Sequence, residues 1–320
     1  MTMRLKNVPL AVGTILVSLL FPFSVLPATS EITYPAKAPK YQAFETWYQT
    51  QHKPKKGQKK TPLPFVAAAV LDANTGTPLY LSNATTQLPT ASLMKLITAG
   101  AILTYQSDWY RSAYFTPEEN GSLLSVYVEP NDRFSHLTLA EGDTITLEQA
   151  FASMLIGSAN NAAVAMPRLV GTTREQFIAR MREQATTWGL SNTIVDEPSG
   201  LSLQNLSTAE DMAKAACAAF KNFMISFYSR SPKVNFTTQN GISKTVAHTV
   251  HDLRLHPERY LGAKTGYLTE TKFHQATELV SPKGHKLCLA VLTTDSRAIA
   301  ETTSWELAQW VDKMYSWVGQ

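Results

Sequence analysis

Strand-like and helix-like segments follow one another in this chain in an order that leaves few folds open: a strand pair, a long helical block, several further strands and a closing helix. Phe65-Val66-Ala67-Ala68-Ala69-Val70-Leu71 is a short apolar run that meets Asp72-Ala73-Asn74-Thr75-Gly76 and returns as Pro78-Leu79-Tyr80-Leu81, which predicts two strands joined by a turn. Apolar periodicity predicts helices over residues 147–166, 174–189 and 208–219, the last opening on the capping-box pattern Ser207-Thr208-Ala209-Glu210. Residues 108–143 mix turns with short strand-like runs such as 123–128. Residues 234–240, 261–267, 276–280 and 287–293 read as sheet strands, and a final helix over 297–317 offers Ile299, Leu307, Trp310, Val311, Met314 and Trp317 to cover them. Strands drawn from both sides of a helical insert give an α+β (or α/β) fold, an antiparallel sheet covered by helices and carrying an inserted all-helical lobe. The sheet parts fall at about 64–90 and 230–320 and the lobe at about 91–229, within one domain spanning 64–320.

Ahead of that domain lie two zones of different character. Arg4 and Lys6 precede an apolar stretch from Val8 to Leu26 that reaches Ala28-Thr29-Ser30, the pattern of a secretory signal over residues 1–30. Its length is near that of a spanning helix, but Pro9, Pro22 and Pro27 favour a cleaved signal over an uncleaved anchor. Either reading places the domain outside the cytoplasm, in a periplasm or cell-wall space. Residues 31–63 carry Tyr34, Tyr41, Phe44, Trp47 and Tyr48, then Lys53, Lys55, Lys56, Lys59 and Lys60 among Pro54, Gly57 and Pro62, and read as a linker. The lysines fit a solvated tether, with weak contact to a membrane or wall polymer as the alternative.

Composition removes several classes of function. With 29 basic against 25 acidic residues there is no global field for nucleic acid. The two cysteines cannot build a disulfide scaffold, and Cys217, in an alanine-rich helical stretch, and Cys288, in an apolar run, read as buried thiols. The histidines gather only loosely at His248, His251 and His256, and no paired-cysteine, phosphate-loop or His-Glu-x-x-His motif occurs, so no metal site or cofactor is expected.

Three short motifs carry the chemistry. Ser92 and Lys95 lie three positions apart, on one face of a helix that Thr90 can cap, so the serine sits at a positive helix end. A serine hydroxyl is a weak nucleophile until a base takes its proton, and a lysine whose pKa is depressed by burial and nearby positive charge can do so. Ser158-Ala159-Asn160 falls at a break in an apolar helical block, where polar groups line a cleft, and Ser158 can relay a proton to a leaving amine. Lys264-Thr265-Gly266 follows an apolar approach on a predicted strand, where the glycine admits a second backbone and Lys264 can bind a carboxylate. The motif starts are 66 and 106 residues apart.

In this order, Ser-x-x-Lys, Ser-x-Asn and Lys-Thr-Gly resemble the motifs of penicillin-binding proteins and class A β-lactamases. The sequence looks like the low-molecular-mass penicillin-binding proteins, the serine-type D-alanyl-D-alanine carboxypeptidases and endopeptidases. The likeness extends to Asp72-Ala73-Asn74-Thr75-Gly76, Pro89-Thr90-Ala91-Ser92-Leu93-Met94-Lys95 and Glu197-Pro198-Ser199-Gly200-Leu201, with Asn205 and Ser207-Thr208-Ala209 beyond. It implies a β-lactamase/transpeptidase-like fold, Ser92 as nucleophile, Lys95 as base, Ser158 and Asn160 as proton-relay and substrate-amide contacts, and Lys264 and Thr265 as carboxylate anchors. Gly266 completes the motif, and the backbone N–H groups of Ser92 and Tyr267 would form the oxyanion hole. The implied substrate is a peptidoglycan stem peptide, β-lactams would acylate the same serine, and no metal or cofactor is needed.

The chain departs from the family pattern on one side. Tyr267-Leu268-Thr269 puts Leu268 where the family usually has a threonine, and Thr269 could replace that hydroxyl only if the strand shifted. Thr271-Lys272-Phe273-His274-Gln275 stands where alanine-glycine is common, and His248-Thr249-Val250-His251 where asparagines are more usual. These departures bear on substrate preference and on activity. Two alternatives stay open: a β-lactamase, with Glu197 in the region of a deacylating base, and a wall-binding homologue without turnover.

Overall fold

The computed structural model describes residues 35–37, 40, 42–128, 132 and 134–317. The expected signal segment, Tyr34 and Tyr41 lie outside the described residues. The buried run Ala67–Asp72 pairs with Pro78–Ser82 on one side and Lys286–Thr294 on the other, then Lys272–Val280 and Tyr260–Leu268 complete a five-stranded, wholly antiparallel sheet. Asp72 closes the first turn by accepting hydrogen bonds from the N–H groups of Asn74 and Thr75. Strands from both ends of the chain therefore meet in one sheet, as the sequence order predicts.

Side-chain alternation along the strands divides the core in two. Ala67, Ala69, Leu71, Ala276, Cys288 and Ala290 face the helical lobe, while Ala68, Val70, Leu279, Leu287, Leu289 and Val291 face the opposite layer. The terminal helix Arg297–Met314 covers that second face with Leu307, Trp310, Val311 and Met314. It stops at Met314, and Tyr315–Trp317 turns into a strand paired with Pro35–Lys37, so Trp317 sits on an edge strand, with its Nε1 donating to Asp72.

The segment read as a linker is partly structural. Phe44–Gln51 forms a helix whose Phe44, Trp47 and Tyr48, spaced three and four apart, are buried against Phe65, Tyr80 and Trp310. Burial of these aromatics outweighs the weak helical character of so short a piece. Lys53 to Lys60 follow it, exposed.

On the lobe side, Leu147–Ile156 and Asn160–Leu169 replace the single predicted helical block, broken at residues 157–159. Arg174–Thr187 and Ala209–Phe220 match their predictions. Thr208, rather than Ser207, caps the latter by accepting from the Asp211 N–H at 3.1 Å, because Ser207 is already paired with Leu88. Residues within the predicted strand 123–128 instead form the helical turn Ser122–Ser125, which buries Leu124. The reading of Cys217 and Cys288 as separate thiols is overturned. Cys217, on helix Ala209–Phe220, is bonded to Cys288 on strand Lys286–Thr294 with Cα atoms 5.4 Å apart. Packing of that helix across the sheet brings together residues 71 apart in sequence, a proximity that local patterns do not encode. Among the described residues no helix is long and apolar enough to cross a membrane.

Candidate active site

Ser92 lies in the tight turn Ala91–Leu93, which runs directly into helix Met94–Ile102. Thr90 does not cap it: its backbone is already helical and its hydroxyl donates to the Ala91 carbonyl. Ala91 has φ +48°, a left-handed conformation uncommon for a residue with a side chain. Two glycines hold the turn from either side. A Cβ on Gly200, itself at φ +85°, would lie 1.9 Å from the Ala91 carbonyl oxygen, and one on Gly266 would lie 3.0 Å from the Ala91 Cβ. Both positions require the bare backbone, and both bring loop and strand onto the serine.

Helix Met94–Ile102 is buried on every side, so Lys95 is shielded from bulk water. Its Nζ donates to Ser92 Oγ at 2.7 Å, Asn160 Oδ1 at 2.6 Å and the Ser199 carbonyl at 2.5 Å. Burial lowers its pKa to about 7, against the upward pull of Glu197. Once neutral, the amine still donates to the two fixed acceptors, Asn160 and Ser199, and its lone pair is left for the Ser92 hydroxyl.

The Ser199 carbonyl is positioned by a buried carboxylate. Glu197 Oε2 accepts from the Ser199 N–H at 2.6 Å, and Oε1 accepts from Gly200 N–H at 2.5 Å, Leu201 N–H at 2.7 Å and Asn205 Nδ2 at 2.8 Å. Those bonds wrap residues 197–205 into a loop fixed by one side chain. Both oxygens are thereby committed to the loop.

Opposite this wall, Ser158 sits at φ +60° in the break between two lobe helices, and its Oγ accepts from Lys264 Nζ at 2.8 Å. Lys264 is fully buried on strand Tyr260–Leu268 and also donates to the Thr265 carbonyl at 2.9 Å. Burial pushes its pKa far below the usual lysine range, and the like charges of Lys95 and Arg297 push it further. Thr265 Oγ1 donates to Thr249 Oγ1 at 2.7 Å. The structure thus gathers all eight residues singled out in the sequence. Ser92, Ser158, Asn160, Thr265, Gly266 and Tyr267 line one cleft of about 720 Å³, with Lys95 and Lys264 buried behind them.

Sequence reasoning missed part of the lining. Arg297, exposed at the start of the terminal helix, reaches the cleft beside Thr265, and nothing local in Ser296-Arg297 signals it. Asp132, Phe134 and Phe273 complete the rim. Leu268 is buried with Ala91, Leu124, Val164 and Leu201, so an apolar wall stands where the family pattern usually has a hydroxyl. Leu268 pairs in regular register with Lys272, so no strand shift brings Thr269 into its place. Thr269 instead donates to Asp132 Oδ1 at 2.8 Å. His248, buried beside Lys264, accepts from the Val250 N–H, and burial, with the Lys264 charge next, lowers its pKa to about 3.

A buried amine bonded to a serine hydroxyl, with a second buried amine across a cleft, equips the site for acyl transfer to and from Ser92 on a substrate that carries a carboxylate. Comparison with known proteins agrees. The sequence profile of the D-alanyl-D-alanine carboxypeptidase family, peptidase family S11, matches residues 57–296. The chain belongs to this family of serine peptidases. It is 29% identical over 237 residues to a D-alanyl-D-alanine endopeptidase of Pseudomonas aeruginosa, a match covering 72% of this chain and 68% of that one. It is 26% identical over 235 residues to a D-alanyl-D-alanine carboxypeptidase of Bacillus subtilis, covering 71% of this chain and 56% of the relative, little more than half its length. Among solved structures, the Streptomyces K15 DD-transpeptidase superposes with a TM-score of 0.71 at 23% identity, over 80% of this chain and all of that one, which establishes the shared fold. The serine-peptidase fold of the family accounts for the sheet and inserted lobe described above.

Proposed function

We propose that this chain is a peptidoglycan DD-peptidase that cleaves the bond between two terminal D-alanines of a stem peptide through an acyl-enzyme on Ser92. One observation carries the reading: Lys95, wholly buried and brought to a pKa of about 7, has its Nζ 2.7 Å from Ser92 Oγ. In the proposed reaction neutral Lys95 takes the Ser92 proton as Oγ attacks the carbonyl carbon of the penultimate D-alanine. The backbone N–H groups of Ser92 and Tyr267 hold the oxyanion, a contribution of about 3–4 kcal/mol to the barrier. As the C–N bond breaks, Ser158 gives its proton to the departing amine and takes in its place the proton that Lys95 received from Ser92, which leaves Lys95 neutral again. Water then cleaves the ester, releasing the shortened peptide and restoring Ser92. Lys264, Thr265 and Arg297 hold the terminal carboxylate, and Asn160 contacts the substrate amide. β-Lactams, which present a reactive amide and a carboxylate at similar spacing, acylate the same serine.

The site of action is outside the cytoplasm, supported by the Arg4/Lys6-led apolar segment and by the Cys217–Cys288 bridge, since structural disulfides persist in oxidising compartments. A β-lactamase reading is disfavoured because Glu197 spends both oxygens on its own loop and has none to activate water. The test is to label the purified protein with a fluorescent penicillin beside Ser92→Ala and to assay a D-Ala-D-Ala peptide. Ser92-dependent, persistent labelling with release of D-alanine is expected. No labelling would end the acyl-enzyme reading, and labelling lost within seconds would favour a β-lactamase. Persistent labelling without cleavage would favour a wall-binding protein.

A further inference from the structure

The stretch from Met212 to His251 contains no aspartate or glutamate, while Lys214, Lys221, Arg230, Lys233 and Lys244 give it five cations. Lys214 is paired with Glu210, and Lys244 donates to the Thr138 carbonyl. Lys221, Arg230 and Lys233 are exposed around one short helix, Phe223–Ser229. Asn222 fixes the start of that helix by accepting from the Met224 and Ile225 N–H groups. Its inner side is conventional: Ile225, Tyr228 and Ser229 are buried, and the Ser226 hydroxyl donates to the Leu261 carbonyl. Its outer side is not. Phe223 and Phe227 are 76% and 45% exposed, with ring centroids 5.9 Å apart, and Arg230 follows them one turn on, so positions 223, 227 and 230 share a face. Tyr110, 80% exposed, stands within electrostatic reach of Tyr228, whose ring lies 5.1 Å from that of Phe227. Rings left in water by the fold contribute nothing to its core and mark a surface that meets a partner.

We propose that this face, with Phe223, Phe227 and Tyr110 ringed by Lys221, Arg230 and Lys233, docks the domain on the surface of a membrane that contains anionic lipid. The rings enter the boundary between headgroups and acyl chains, and the cations meet the lipid phosphates. Charge complementarity names this partner. The helix and its flanks carry no carboxylate to repel a negative surface. Of the acids brought near by folding, Glu148 accepts from the Tyr228 hydroxyl, and Asp108, which accepts from the Tyr110 N–H, is matched by Arg111. An anionic wall polymer would engage the cations but gain nothing from two protruding phenylalanine rings, and an uncharged apolar partner would gain nothing from the cations. A lipid interface uses both. The face is also distinct from the lysine run at 53–60. Ile225 and Tyr228 pack in the core on the lobe side of the sheet, whereas helix Phe44–Gln51, which precedes that run, packs in the core on the opposite side.

The test is co-sedimentation with vesicles of equal parts phosphatidylglycerol and phosphatidylcholine, beside vesicles of phosphatidylcholine alone. It uses the exported form from Glu31 onward, which keeps the whole compact unit of residues 33–320 and lacks the apolar segment 8–26, itself able to enter a bilayer. Wild type should bind the mixed vesicles about tenfold more tightly than the uncharged ones, and less tightly as salt is raised. Phe223→Ser with Phe227→Ser leaves the charge unchanged and should weaken binding to the mixed vesicles about tenfold. Arg230→Gln with Lys233→Gln keeps the rings and should weaken it by a similar factor. Because all four side chains are exposed, thermal unfolding should hold in both variants, which separates lost docking from lost fold. Absence of wild-type binding to the mixed vesicles overturns the assignment. Binding undiminished by the phenylalanine substitutions also overturns it and moves the contact to another part of the chain. Wild-type dimers that those substitutions disperse, without vesicle binding, overturn it in favour of a second copy on this face.

Discussion

The two walls of the cleft are built on opposite principles. On the nucleophile wall every polar group is spoken for: Lys95 bonds Ser92, Asn160 and Ser199, while Glu197 bonds the loop that presents Ser199. Its geometry leaves little freedom, and it holds Ser92, Lys95 and Asn160, residues of the motifs that carry the sequence resemblance. The far wall, along residues 264–273, is lysine and hydroxyl at one end, leucine and aromatic rings in the middle, with Asp132 of another segment bonded to Thr269 beyond. It departs from the pattern and is open to solvent at Tyr267. The difference sets a fixed, buried polar network around the nucleophile against a mixed and partly exposed surface opposite it.

Breaking the nucleophile wall should have the largest effect. Lys95→Met preserves the buried volume but removes the lone pair, and the rate of Ser92 labelling by penicillin should fall about a thousand- to ten-thousandfold. Thermal unfolding should shift down modestly, because the buried Asn160 Oδ1 and Ser199 carbonyl lose their donor, offset in part by removal of the buried amine. On the far wall, Lys264→Met should lower kcat/KM for the peptide by about a hundredfold, through loss of a desolvated charged hydrogen bond to the carboxylate. The covalent tie between the walls can be broken as well. The Cys217–Cys288 bridge closes a 71-residue separation between a helix behind the nucleophile and the sheet bearing the far wall. Cys217→Ala with Cys288→Ala should therefore cost about 4 kcal/mol in denaturant unfolding and much less in labelling rate. Smallest is Leu268→Thr. It removes Leu268 from the cluster with Ala91 and Leu201 and should cost about 2 kcal/mol in unfolding free energy, while Lys95-dependent labelling persists.

The same division governs what could be read in the sequence. Ser92, Lys95, Ser158, Asn160 and Lys264 are visible because short motifs record local backbone requirements, a helical i, i+3 pair, a helix break and a strand glycine. The sheet and lobe are visible because apolar periodicity is also local. Contacts made by packing alone are not. Cys217 and Cys288 meet only when a helix lies across a sheet, and Arg297 reaches the cleft only because the terminal helix begins at its rim. Asp132 meets Thr269 across 137 positions. The helix Phe44–Gln51 was concealed for another reason: its apolar face of Phe44, Trp47 and Tyr48 is a single turn long, within a segment dominated by prolines and lysines.

The account turns on a lysine that loses its proton near neutrality. For Lys95, desolvation disfavours the charged form, so the competent base is present above its pKa and lost below it. The direct measurement is the second-order rate of penicillin acylation of Ser92 across pH 5 to 10. The rate should rise tenfold per pH unit at the acid end, reach half its maximum at about 7 and level off above. A rate that is flat through neutrality, or that climbs only towards the ordinary lysine pKa of about 10.4, would contradict it.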